Sequence, residues 1–116
     1  MTDCDIPLLR KTLAHAVANP RQVNFHVWVD RNRHGTVACL AGWAGILSGH
    51  TFDDDGYSTC RCRGHKRGEQ ADTIAERELR LSPAAADDLF FCRKMRQVWP
   101  VVRVITNGEI RGPEDL

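Results

Sequence analysis

Apolar positions along the chain change period several times, and each change marks an element. From Pro7 to Asn19 they recur at helical spacing: Leu8, Leu9, Thr12, Leu13, Ala16 and Val17 form one stripe, while Arg10, Lys11 and Ala14 face away. Pro7 suits a first helical position, Asp5 lies where it meets the exposed amides, and Asn19-Pro20 ends the run. The pattern predicts a helix over 7–19. Val23, Phe25, Val27 and Val29 then alternate with Asn24, His26 and Trp28, which is the period of a strand or of an extended segment lying on helices. Aspartate, asparagine and glycine mark a turn across Asp30 to Gly35.

Thr36 to Ser48 reads as the central helix, with Thr36 as N-cap and Gly49 at the left-handed position after its end. Its body, VACLAGWAGIL, has almost no polar residue on any side, so the other elements are expected to pack around it. Ala38, Ala41, Gly42, Ala44 and Gly45 permit close approach by neighbours. Two internal glycines cost about 1 kcal/mol each relative to alanine, which tight packing offsets. His50 to Gln70 is irregular, with Asp53, Asp54 and Asp55, several glycines and the run CRCRGHKRG. Loops this long in a compact domain signal function, disorder or a metal.

Ala71 to Leu79 and Ser82 to Phe91 read as two further helices, the second with a Ser82-Pro83 start and an apolar face of Ala85, Ala86, Leu89 and Phe90. A last helix is expected from Pro100 to about Asn107-Gly108. The β-branched content of WPVVRVIT leaves a strand as the alternative. The tail after Gly112 is expected to be loose. Together these elements predict a mainly α fold: a single small domain of four or five short helices around a buried central helix, with room for a minor two-stranded β element.

Composition adds limits on function. The chain has 116 residues, one domain's worth, and its 42% apolar and 27% charged content argues against wholesale disorder. Sixteen basic against 15 acidic residues leave a net charge of +1, which argues against a dedicated nucleic-acid binder. The longest apolar run, Val37 to Leu47, is about half a bilayer span. The N-terminus lacks the order of a secretory signal, so the five cysteines are expected to stay reduced and the cytoplasm is the expected location.

Four groups of residues could carry chemistry. Cys39 falls in the first turn of the predicted central helix, where amide dipoles favour a thiolate, and a histidine could complete a thiol nucleophile. The plainer reading is a small apolar filler beside Ala38, Leu40 and Ala41. Cys60, Cys62 and His65 supply good zinc ligands, with Cys92, His50 or Cys4 as a fourth. The C-x-C spacing is not a standard knuckle, and the alternative is a flexible basic loop. Arg61, Arg63, Lys66 and Arg67, with Arg93, Lys94 and Arg96, could form a patch for phosphates or an acidic partner, or simply a solvated surface. Trp28, on the polar side of its segment, could anchor a partner or pack on the first helix.

Three stretches resemble a group of small uncharacterised proteins from actinobacteriophages and their hosts: DIPLLRKTLAHAVANP, HGTVACLAGWAGILSG and LRLSPAAADDLF. The central signature is carried by Gly35, Thr36, Ala38, Cys39, Ala41, Gly42, Trp43 and Ala44, with His34 where that group commonly has a cysteine. The resemblance implies a phage origin more than an activity; together with the lack of a complete catalytic constellation and the near-neutral charge, it leads to the expectation of a non-enzymatic phage accessory protein that binds a host protein. A zinc module built on Cys60, Cys62 and His65 is the first alternative, and a thiol enzyme built on Cys39 the second.

Overall fold

A computed structural model describes residues 4–32, 35–52 and 69–116. Helix α1, Ile6–Ala18, begins where Asp5 Oδ1 accepts the Leu8 amide at 3.0 Å. It buries Leu9, Thr12, Leu13 and Ala16 as the stripe predicts. Asn19 closes it, because its backbone and side-chain amides both donate to the His15 carbonyl.

Of the two readings of 23–29, the strand does not form there, whereas Val23, Phe25 and Trp28 do lie against the core. A 3-10 turn occupies Pro20–Gln22, and Asn24 then folds the chain back on itself. Its side-chain oxygen accepts the His26 amide and its carbonyl accepts the Val27 amide. These local bonds compete with a ladder, as asparagine commonly does. Strand β1, Val29–Asn32, starts where the expected one ends, and it pairs antiparallel with β2, Gly35–Ala38, in register Val29↔Ala38 through Asn32↔Gly35. Apart from Val29, both strands lie in sequence read as turn and as the start of the central helix.

Helix α2 is therefore shorter than expected, Leu40–Leu47, and Cys39 rather than Thr36 is its N-cap residue. Thr36 and Val37 are β-branched and pair with β1 instead. The rest of the expectation holds. Leu40 to Gly45 are all buried, and Gly49 takes a φ of +102° just past the helix end. Helices α3, Ala71–Glu78, and α4, Pro83–Phe90, match their predicted positions, with Ser82 Oγ accepting the Ala85 amide at 3.1 Å.

Helix α5 runs Met95–Ile105, so Pro100 lies inside it instead of opening it. Burial of Val98 and Val102 on one face outweighs both the β-branched content and the backbone bond that Pro100 cannot make. The tail is not loose: Pro113–Asp115 form a 3-10 turn, Asp115 Oδ2 accepts the Arg111 amide at 2.8 Å, and Arg10 Nε donates to the Asp115 carbonyl. Leu116 packs on the core.

Among the described residues the fold is thus five helices with one two-stranded sheet, and α2 packs between α1 and α3. The main core draws on all five helices; a smaller one joins Val29, Ala38, Trp43, Phe52, Ala71 and Ile74. No described helix is long and apolar enough to cross a membrane.

Candidate interaction surface

The GTVACLAGWA segment builds the junction between the hairpin and α2. Ala38, Ala41 and Ala44 have no exposed surface, and Gly42 packs directly under the backbone of Trp28. Cys39 is 3% exposed, and its Sγ lies 3.8 Å from the Trp28 carbonyl. Burial pushes its thiol up to about 11, against the downward pull of the amides of Gly42 and Ala41 at the helix start. The expectation of a lowered thiol pKa is overturned, because desolvation outweighs the helix terminus. Cys4 and Cys92 are pushed up for the same first reason.

Trp43 fixes the other side of α2. Its indole donates to the Gln22 carbonyl at 2.8 Å, and its ring lies 4.1 Å from that of His15, whose Nε2 in turn meets Gln22 Oε1. His15 is thereby tied into the α1–α2 junction.

Trp28 is half-buried and touches both core clusters, so much of its ring is committed to packing. The other sequence-predicted binding residues, Arg61, Arg63, Lys66 and Arg67, lie outside the described residues, as do the proposed zinc ligands Cys60, Cys62 and His65. Of the wider basic patch, Arg93, Lys94 and Arg96 are exposed where α5 begins.

One apolar surface feature was not singled out in the sequence. Helices α4 and α5 pack together and carry between them an apolar groove of about 330 Å³. Ala85 and Asp88 line it from α4; Pro100, Val101, Val104 and Ile105 line it from α5. Val104 is 80% exposed at its edge, and Phe91, which closes α4, is 70% exposed. A signal for this was present in the sequence. Val98, Val101, Val102, Val104 and Ile105 cover more of the α5 circumference than one core face can bury. Arg96 and Arg103, both exposed and seven residues apart, share a stripe beyond Pro100 and Val104. Asp88 is the one charged residue in the groove's lining.

Comparison with protein-family models, with curated proteins and with solved structures returns no match.

Proposed function

We propose that this protein is a non-enzymatic accessory protein of the phage type its sequence resembles, acting in the host cytoplasm by binding a host protein through the α4–α5 face. The observation that carries this reading is Val104, left 80% exposed beside an apolar groove by a helix that buries Val98 and Val102. Contiguous apolar surface of this kind favours association with another surface. Depth of burial and a raised thiol pKa weigh against Cys39 as a nucleophile, and so against the thiol-enzyme alternative.

The test is affinity capture from an actinobacterial lysate, read by mass spectrometry, with wild-type protein, Val104→Asp and Trp28→Ala as baits. A host protein enriched by wild type and by Trp28→Ala but lost with Val104→Asp supports the α4–α5 face. Equal recovery with Val104→Asp removes that face from the interaction.

A further inference from the structure

We infer that the hollow at the end of α3 binds a small zwitterion, with one ammonium and one carboxylate on a short chain, through Glu76 and Arg80. The hollow measures about 370 Å³ and is lined by Thr73, Glu76, Arg77, Arg80 and Leu81. It shares no residue with the α4–α5 groove, so this binding goes beyond the host-protein reading and does not depend on it. The two arginines on its wall differ in what they are tied to. Arg77 Nη1 donates to both carboxylate oxygens of Glu69 at 2.8 Å, and its Nε lies 3.8 Å from Glu78 Oε1. The side chains of Glu76 and Arg80 make no hydrogen bond or ion pair with any other described residue. A carboxylate and a guanidinium therefore line one hollow without neutralising each other.

The backbone keeps them from pairing. Were α3 to run on, Glu76 and Arg80 would be neighbours at i and i+4, in the order that favours an ion pair. Instead Leu79 ends the helix. The Leu81 amide donates to the Glu76 carbonyl at 2.9 Å, the Arg80 amide donates to the Arg77 carbonyl at 3.1 Å, and Arg80 takes a φ of +56°. Glycine is the usual residue at that position, because a Cβ is strained there. Arginine accepts the strain, and what it adds is a cation on the wall of the hollow. The two charges select the ligand. A simple anion is drawn to Arg80 and repelled by Glu76, and a simple cation the reverse. A zwitterion satisfies both: its carboxylate accepts from the Arg80 guanidinium, and its ammonium donates to the Glu76 carboxylate. The Thr73 hydroxyl offers a further hydrogen bond, and Leu81 an apolar contact for the methylenes between the charges. Arg80 is exposed, so the expected Kd is only on the order of 1 mM.

Titration of the purified full chain with glycine, β-alanine and γ-aminobutyrate, followed by amide NMR shifts, tests the inference and sets the charge spacing. Saturable movement of the Thr73, Glu76, Arg80 and Leu81 amides is expected with at least one of them. Acetate and methylammonium each carry one of the charges and are expected to bind at least about tenfold more weakly. Arg80→Gly separates binding from structure. Relief of the left-handed strain is expected to raise the melting temperature by a few degrees, while affinity falls at least about tenfold. Glu76→Gln is expected to lose the preference for the zwitterion over acetate. No saturable shift with any of the zwitterions up to about 100 mM overturns the inference. So does acetate binding as tightly as the best zwitterion, or an Arg80→Gly variant that binds unchanged.

Discussion

The backbone carbonyl of Trp28 occupies the space that any side chain at Gly42 would need: a Cβ built there collides with that oxygen and lies 2.7 Å from Ala38 Cβ. One glycine thereby sets how closely the hairpin approaches α2. Gly42→Ala must push the 28–29 backbone off the helix, and the expected loss is about 3 kcal/mol, at the upper end for overpacking. Gly49→Ala is the control. A Cβ there meets nothing, but φ is +102°, so only backbone strain of about 1–2 kcal/mol is expected. Urea unfolding of both variants, followed by tryptophan fluorescence, checks the order. Equal losses would mean that packing against Trp28 does not limit this junction.

Cys39 links stability to alkaline pH. Its thiol is held up at about 11 in the folded chain, against an ordinary value of 9.0. Above pH 9 the unfolded chain releases this proton while the folded chain keeps it, so the stabilisation is complete below the unfolded value and is lost as pH rises towards the folded one. The expected loss from this group is about 3 kcal/mol between those limits. Urea midpoints at about pH 8 and about pH 10.5 should fall less steeply for Cys39→Ala than for wild type. A slope unchanged by the substitution would assign the alkaline loss to other groups, Cys4 among them.

How far the chain was legible depended on whether local and tertiary preferences agreed. Asp5 and Ser82 cap the helices they were expected to cap, and the apolar α2 sits at the centre, because there propensity and burial point the same way. The strand reading of 23–29 failed because Asn24 satisfies the His26 and Val27 amides locally, and β1 forms instead on residues whose composition looks like a turn. Thr36 is a good cap by type, yet its neighbours across the ladder decide its conformation. Of the expected binding residues, Trp28 is half committed to packing. The α4–α5 groove was hidden in a run of valines that reads equally as core until Pro100 is placed inside the helix.

Helix α5 separates two valines two positions apart in sequence. Val102 has no exposed surface, whereas Val104 is 80% exposed. Val102→Ala removes two buried methyls and leaves a void, so a loss of about 2 kcal/mol is expected. Val104→Ala should change stability by less than about 0.5 kcal/mol. Thermal unfolding of dilute samples checks this. A large loss with Val104→Ala at high dilution would place that side chain in the core and remove it from the surface proposed for binding.

Thr106 ends α5 with a buried hydroxyl that works in both directions. It donates to the Val102 carbonyl at 2.8 Å and accepts the Ile110 amide at 3.0 Å, and both Thr106 and Ile110 are buried. Thr106→Val keeps the shape and removes the acceptor, leaving the Ile110 amide buried without a partner. The desolvation of an orphaned amide costs about 2 kcal/mol. Thr106→Ser keeps the hydroxyl and loses one methyl, for about 1 kcal/mol. Volume alone would rank the two the other way, since valine is the closer match to threonine in shape. Hydrogen exchange at Ile110 is the sharper readout: protection should fall in Thr106→Val well beyond the loss in global stability, and should follow global stability in Thr106→Ser. If both variants lose protection in step with their melting temperatures, the hydroxyl contributes no more than packing, and the turn at Asn107 and Gly108 holds Ile110 without it.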